Sequence, residues 1–405
     1  METTVLVVFG LVYLGMLLGG LPGLALDRTG IALLGAIALV ATGAVTPRAA
    51  WNAIDVPTIA LLFGMMVISA NLRVSGFYAR ISTGIAELDV STPKLFAILI
   101  LVAGALSAVL TNDVVCLALA PLLLESSTRR GVAPIPLLLA LCCASNVGSA
   151  ATLIGNPQNI LVGQALGLDF ARYTALAAVP VLIGLGIVWW VCVRSMRGAA
   201  PPLAVSTPRA TPLAFDRAGA WKAGLVTVLV MAAFLFTDWP REITALAGAG
   251  LLLVSRRNRS REVLAQVDGQ LLVLFMGLFV VNHALADSGL LERGLASLRD
   301  VGIDPSEPRT LFAGSAVLSN LVSNVPATML LLPTATHPLA GPILALASTL
   351  AGNFILVGSI ANIIVVDAAG RAGIEIGWRE HARIGVPVTL LTLLVAALWM
   401  AFVWV

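Results

Sequence analysis

Two stretches of polar and helix-breaking residues interrupt apolar runs. They are Gly148-Ser-Ala-Ala-Thr-Leu-Ile-Gly-Asn-Pro-Gln-Asn159 and Gly352-Asn-Phe-Ile-Leu-Val-Gly-Ser-Ile-Ala-Asn362. The runs flanking the first, 134–147 and 160–168, are each too short to cross a bilayer alone, which takes about 20 apolar residues. Read together with its middle, the segment is one span with a broken centre. Pro157 has no N–H to donate, and Gly148 and Gly155 weaken a helix further. Asn156, Gln158 and Asn159 then lie at membrane depth. Backbone of this kind is tolerated in hydrocarbon only where it is buried in protein or lines a watery cavity. Half-helix N-termini offer partial positive charge to an anion, and freed carbonyls offer oxygen ligands to a small cation.

Two further apolar segments, 95–124 and 310–334, carry polar tripeptides: Thr111-Asn112-Asp113 and Ser323-Asn324-Val325. The first is too long for one span and too short for two with a loop, so it reads as a re-entrant helical hairpin with the tripeptide at its tip, and the second reads as its counterpart. The candidate substrate- or ion-binding residues are therefore Thr111, Asn112, Asp113, Gly155, Asn156, Asn159, Ser323, Asn324, Gly358, Ser359 and Asn362. The same residue types also bind helices to one another by hydrogen bonds, but that role does not require matching breaks. Asp113 is the sharpest candidate. A carboxylate at membrane depth is costly and is paired, protonated or functional. Burial favours the neutral acid and a bound cation favours the carboxylate, so alternation between them would couple ion or proton movement; a tip close to water would leave it merely solvated. Asp55, Asp268, Asp287 and Asp367 fall near span ends. The adjacent thiols Cys142 and Cys143 could bind a soft metalloid, but helix neighbours point in different directions and buried packing is the simpler reading. His283, His337 and His381 have no second ligand at metal spacing.

The elements that must hold these groups follow from hydropathy. The 405-residue chain is 59% hydrophobic and 11% charged, against about 25% charged in a soluble domain, so it reads as an all-α polytopic membrane protein. A net charge of +3 without a basic face is no nucleic-acid signal. Spans are expected near 3–24, 30–45 and 57–72, then an amphipathic piece at 73–92 at the interface, the 95–124 hairpin, the broken span 134–168 and a crossing at 173–193. After a Pro-, Ala- and Arg-rich linker, 196–217, the pattern starts again at 221–236 and 243–254. Asp55 then lies over Asp268, Gly64 over Gly277 and Ser75-Gly76 over Ser288-Gly289; Thr111-Asn112 matches Ser323-Asn324, Pro121 matches Pro333, Gly155 matches Gly358 and Asn159 matches Asn362. Such matches in one order indicate an internal duplication. The expected architecture is two repeats, 1–195 and 218–405, with scaffold spans in 1–72, hairpins at 95–124 and 310–334, and broken spans at 134–168 and 338–366. It amounts to about 10–11 spans plus two hairpins, with an odd number of crossings between hairpins inverting the second repeat. An N-terminus outside puts the 196–217 linker, Arg129-Arg130, Arg256–Arg261 and Arg371–Arg383 in the cytoplasm, as the positive-inside rule expects of a multi-pass inner-membrane protein.

With hairpin, break and repeat in hand, the chain resembles the ion transporter superfamily: citrate and dicarboxylate carriers, arsenite permeases and related sodium–proton antiporters. Its tips at 111–113 and 323–325 look like that group's hairpin-tip Ser-Asn-Thr motifs, and the two broken segments look like its unwound spans. The resemblance implies a scaffold plus a transport domain moving elevator-fashion, often in a homodimer. It also implies two lobes, Thr111, Asn112, Gly155 and Asn159 in one and Ser323, Asn324, Gly358 and Asn362 in the other. Sodium would be held, where it is used, at Thr111, Asn112 and Gly155 and at Ser323, Asn324 and Gly358. Asp113 and Val325 stand where dicarboxylate carriers place a Thr, which removes two hydroxyls and adds a charge unfavourable to a second carboxylate. The Asn-Asp pair is more similar to arsenite permeases. The expected activity is ion- or proton-coupled transport of a small anion, inorganic or metalloid such as arsenite, or a carboxylate such as citrate. A sodium–proton antiporter is the alternative, ahead of a passive channel or a membrane-embedded enzyme. No organic cofactor is expected; the partners are the solute, sodium or protons, and the lipid bilayer.

Overall fold

The computed structural model describes residues 1–20, 23–196, 215–255 and 259–404. Nearly all of the 196–217 linker and the first half of the Arg256–Arg261 link lie outside the described residues. Among the described residues the chain is helical, without a strand. The first half comprises α1 (Glu2–Leu18), α2 (Arg28–Ala41), α3 (Pro47–Ala53), α4 (Val56–Val74), α5 (Phe77–Glu87), α6 (Thr92–Val109), α7 (Asn112–Arg130), α8 (Pro134–Ser149), α9 (Pro157–Ala165) and α10 (Phe170–Ser195). The second comprises α11 (Arg217–Phe236), α12 (Arg241–Leu253), α13 (Ser260–Leu264), α14 (Gly269–Asp287), α15 (Leu290–Asp300), α16 (Pro308–Val322), α17 (Asn324–Leu331), α18 (Ala340–Ala351), α19 (Ile360–Arg371) and α20 (Trp378–Trp404). Six of these, α4, α6, α10, α11, α14 and α20, are long and apolar enough to cross a membrane. The outer faces of α11 (Trp221, Leu225, Val228, Leu229) and α20 (Leu390, Leu394, Leu398, Phe402) are exposed, an arrangement suited to hydrocarbon rather than water.

Local chemistry sets the helix ends. The Asp55 carboxylate accepts from Thr58 N at 3.0 Å and Asp268 from Leu271 N at 3.0 Å, so the two aspartates are N-caps of α4 and α14. Gly76 and Gly289, with φ of +76° and +72°, turn the chain from those helices into α5 and α15. Two expected spans are shorter than a bilayer. With 14 and 13 residues, α2 and α12 rise about 20 Å, against a hydrocarbon core of about 30 Å. Asp27 starts α2 and Gly43, left-handed at φ +73°, follows its end; Pro240 precedes the first residue of α12. The amphipathic 73–92 piece also differs from an interfacial helix, because Tyr78, Ser82 and Ile85 of α5 are buried and α5 packs against α7.

In the outer part of the molecule α4 packs on α12 and α14 on α2. These contacts are close because they lack a side chain. A Cβ on Gly64 would lie 2.8 Å from the Ala245 backbone, and one on Gly277 would lie 2.7 Å from the Ala32 backbone. At the centre, residues 137–149 of α8 and every residue of α18 are buried. A helix buried on all sides is a core helix; here α8 is enclosed by α6, α7, α10 and α19, and α18 by α16, α20, α9 and α17. Both lead directly into the breaks.

Candidate functional site

Between α8 and α9 the helix stops at Ser149 and resumes at Pro157. Gly155 is required in this gap, since a Cβ there would lie 2.2 Å from Ser149 O and 2.7 Å from Ser107 O. Asn156 caps α9 by accepting from Asn159 N at 2.9 Å. The Asn159 amide turns back into the gap and donates to Thr152 O at 2.9 Å, while the Tyr173 hydroxyl donates to Ala150 O at 2.8 Å. Backbone oxygens freed by the break thus find partners inside the protein. The α18–α19 break is built alike. Ser359 caps α19 by accepting from Ala361 N at 3.2 Å, and Asn362 Nδ2 donates to Gly352 O at 2.9 Å and Ile355 O at 3.3 Å.

The two breaks are joined by side chains absent from the candidate set. Asn146 of α8 donates to Asn362 Oδ1 at 3.1 Å and Asn353 Oδ1 at 2.8 Å; its own Oδ1 accepts from Ser359 Oγ at 2.9 Å and Asn112 Nδ2 at 3.0 Å. Thr349 of α18 does the reverse, accepting from Asn156 Nδ2 at 3.1 Å and Gln158 Nε2 at 3.2 Å and donating to Asn159 Oδ1 at 3.1 Å. Each unbroken half-helix therefore holds the opposite break. Asn146 stands before Gly155 by the same interval as Thr349 before Gly358, but their differing types hide the match in the sequence. Thr349→Val keeps the volume and removes all three bonds: Asn159 Oδ1 loses its side-chain donor, while Asn156 Nδ2 keeps Ser149 Oγ and Gln158 Nε2 keeps Asn324. Its expected cost is on the order of 3 kcal/mol, read as a lower midpoint of thermal unfolding in detergent.

The hairpin tips close on this core. Asn112 N donates to Gly155 O at 2.9 Å, and Ser145 Oγ donates to Asn112 O at 3.1 Å. The 2.7 Å contact between Ser107 and Ser145 then takes its proton from Ser107. In the orientation that satisfies its neighbours, the Asn324 amide donates to Gly358 O at 3.3 Å and Ser348 O at 3.2 Å and accepts from Gln158 Nε2 at 3.3 Å. Tip residue Ser323 has φ +77°, the one non-glycine in that region among the described residues; such strain costs about 1–3 kcal/mol and clusters at functional sites. Thr111, Asn112, Gly155, Asn156, Asn159, Asn324, Gly358, Ser359 and Asn362 are all buried, whereas Ser323 and Asp113 are half-buried. Asp113, in the first turn of α7, makes no hydrogen bond or ion pair among the described residues. The polar core thus gathers the candidate residues other than Asp113 and Ser323, which lie at its margin.

Of the seven buried side-chain oxygens without a partner among the described residues, three belong to the two hairpins. Asn112 Oδ1, Ser319 Oγ and Asn320 Oδ1 are buried without a hydrogen-bond partner, and Asn320 Oδ1 lies beside Gly358. His381 is also missing from the candidate set: its Nε2 lies 3.0 Å from Asn353 O and must carry the proton, which leaves Nδ1 a buried lone pair without a partner. Cys142 and Cys143 are buried, with the Cys142 thiol donating to Leu139 O. Among the described residues no group of three or more His, Cys, Asp or Glu side chains could hold a metal ion. A cavity of about 350 Å³ reaches tip residue Ser323 from the side of Arg28, Asp268 and Gln270, with Val357 and Ile360 on its far wall.

Residues 5–343 match the model of the citrate transporter family CitMHS. An uncharacterized transporter of Mycobacterium tuberculosis (strain H37Rv) is 31% identical over 399 residues, spanning 92% of this chain and 93% of the relative. The silicon efflux transporter of Oryza sativa subsp. japonica is 27% identical over 466 residues, spanning 95% and 94% of the two chains. In fold, the chain matches the crystal structure of the Alcanivorax borkumensis YdaH transporter with a TM-score of 0.60 at 16% identity, over all of this chain and 98% of that one.

Proposed function

The chain belongs to the citrate transporter family, and on that premise we propose that it is an ion- or proton-coupled secondary transporter of a small inorganic or metalloid anion or a carboxylate. The carrying observation is the polar core in which Asn146 and Thr349 each hold the opposite helix break. A passive pore has no need of two breaks locked to each other. A transport unit that must move as one body does, and the tips bonded to Gly155 O and Gly358 O move with it. The rice relative is a silicon efflux transporter, which favours a small inorganic solute over a large carboxylate. In this reading two inverted repeats supply a scaffold (α1, α2, α4, α11, α12, α14) and a transport unit (the hairpins and broken helices) that slides along it elevator-fashion.

The coupling ion fits the chemistry of the tips. Sodium is a hard cation that takes oxygen ligands; Asn112, which bonds to Gly155 O, and Asn320, beside Gly358, each carry a bare amide oxygen. Thr111, Asn112 and Gly155 would hold one ion and Ser323, Asn324 and Gly358 the other. If protons couple instead, Asp113, free of hydrogen bonds, carries the exchanged proton. The charge distribution favours an N-terminus outside an inner membrane, so that the Arg28-side cavity opens to the cytoplasm.

The test is uptake of citrate, succinate, arsenite and sulfate into liposomes under imposed sodium or proton gradients, with Asp113→Asn alongside. We expect gradient-driven uptake of one solute and its loss, by about tenfold or more, in Asp113→Asn under a proton gradient. Full activity in the mutant under both gradients would demote Asp113 to a solvated tip. Sodium–proton exchange without solute movement would establish the antiporter.

A further inference from the structure

The two halves correspond helix for helix but are not in the same state. When Gly64 is laid over Gly277, Arg28 at the start of α2 falls on Arg241 at the start of α12. Their surroundings differ. Arg241 donates through Nη2 to Leu168 O, just past the end of α9, and through Nη1 to Gly163 O in its last turn at 3.5 Å, bracketing the turn in which Gly167 has φ +58°. Beside it, Gln164 Nε2 donates to Glu242 Oε2 at 3.2 Å. A cation on the last carbonyls of a helix is favoured by both hydrogen bonding and the helix dipole.

Arg28 has none of this. Its Nε is buried without a partner, and among the described residues its guanidinium makes no hydrogen bond or ion pair. The end of α19 nonetheless offers the same acceptors: Gly373, at φ +76°, closes it, and Ile374 N donates to Ala369 O as Leu168 N does to Gly163 O. Arg28 lines the 350 Å³ cavity together with the first turn of α19, at Ile360 and Ile363, and with Leu271 and Leu274 of α14. Two further pairs repeat the asymmetry, since α4 packs on α9 and α5 on α7, whereas α14 and α19 face each other across that cavity and no residue of α15 is buried. Asp27 and Asp268 share the lining with Arg28, so the cavity is not an anion site built on that one cation.

We propose that Arg28 and Arg241 form an alternating latch. In the state seen, Arg241 holds the end of α9 closed while Arg28 stands disengaged. In the opposite state Arg28 takes the Ala369 and Ile374 carbonyls in and just past the last turn of α19, the cavity closes, and Arg241 releases α9. This rests on the alternating-access reading above, in which inverted halves exchange conformations.

Two engineered cysteine pairs test it in membrane vesicles without substrate: Gln164→Cys with Glu242→Cys at the closed side, and Thr29→Cys with Gly370→Cys at the open side. The four native cysteines are buried and leave the background quiet. We expect both pairs to cross-link in otherwise unchanged protein, the second more slowly. Arg241→Ala should lower the first and raise the second roughly tenfold, the scale of one charge-assisted hydrogen bond. Arg28→Ala should do the reverse, with Arg28→Lys partly restoring the second pair. Cross-linking of the second pair that is indifferent to Arg28→Ala overturns the latch while leaving alternating access intact. A second pair that never forms in any background overturns both. A substitution that only unfolds the protein lowers both pairs together, so opposite movement separates a latch from a structural role.

Discussion

Asn146→Leu is expected to abolish transport and to be the most destabilising single side-chain change in the polar core. One amide there makes four hydrogen bonds, to Asn112, Asn353, Ser359 and Asn362. Leucine fills the same space and satisfies none of them. Each buried group left unpaired costs about 1–3 kcal/mol, and the four belong to one hairpin tip and the opposite break. Neighbouring groups would recover part of that by re-pairing, so the expected loss is roughly 4 kcal/mol, with transport down by about 100-fold or more. Asn146→Asp separates the two functions of the amide. It keeps the acceptors for Asn112 and Ser359 and sets an acceptor against Asn353 Oδ1 and Asn362 Oδ1, which should release α19 while retaining the first tip. Thermal unfolding in detergent, beside uptake by the same preparation, reads both effects; an Asn146→Leu protein with unchanged midpoint and uptake would remove the polar core from the account.

Gly155→Ala should be nearly as severe, and for a reason that does not involve hydrogen-bonding side chains. The added methyl would sit 2.2 Å from Ser149 O and 2.7 Å from Ser107 O. Both obstacles are backbone atoms, so nothing flexible can yield. Overpacking costs about 1–3 kcal/mol where side chains can adjust, and here the break itself must open, displacing Gly155 O from Asn112 N. Loss of both folding yield and transport is expected. The matching change in the second half is milder: at Gly358 the nearest atoms are 3.1 Å away, one of them the Asn320 side-chain oxygen. Gly186→Ala in α10, with nothing within 4 Å of the new carbon, should leave uptake intact and raise stability by up to about 1 kcal/mol. Equal damage at Gly155 and Gly358 would contradict this ranking.

Much of this was legible in the sequence because membranes make backbone faults conspicuous. Pro157, Gly155 and Asn159 inside an apolar run, and Thr111-Asn112 and Ser323-Asn324 inside two others, mark the breaks and tips without any knowledge of packing. The caps at Asp55 and Asp268 were visible as recurrent residues near span ends. Asn146, Thr349 and His381 were not legible, since each is a polar residue inside a regular helix whose partners come from distant parts of the chain; Asn353 lies in the second break, but its partner Asn146 is in the other half. Asn146 reaches Asn362 and Thr349 reaches Asn159, and no local pattern announces a bond of that range. Helix length was over-read where hydropathy continues past a turn: apolar residues extend to Val45, but Gly43 turns the chain and α2 stops at Ala41. The burial of α5 was missed because an amphipathic face reads the same whether lipid or α7 covers it. Nothing in the sequence singles out Arg28 or Arg241, and only the difference in their bonding gives them roles.

The central claim is that an ion gradient drives a solute uphill through this chain. Its most direct measurement is accumulation of a radiolabelled solute in proteoliposomes, starting at equal concentration inside and out, with a sodium or proton gradient as the sole source of free energy. The expected result is accumulation above equilibrium that collapses when an ionophore dissipates the gradient. Equilibration without accumulation, unaffected by the ionophore, would contradict it and describe a passive pore.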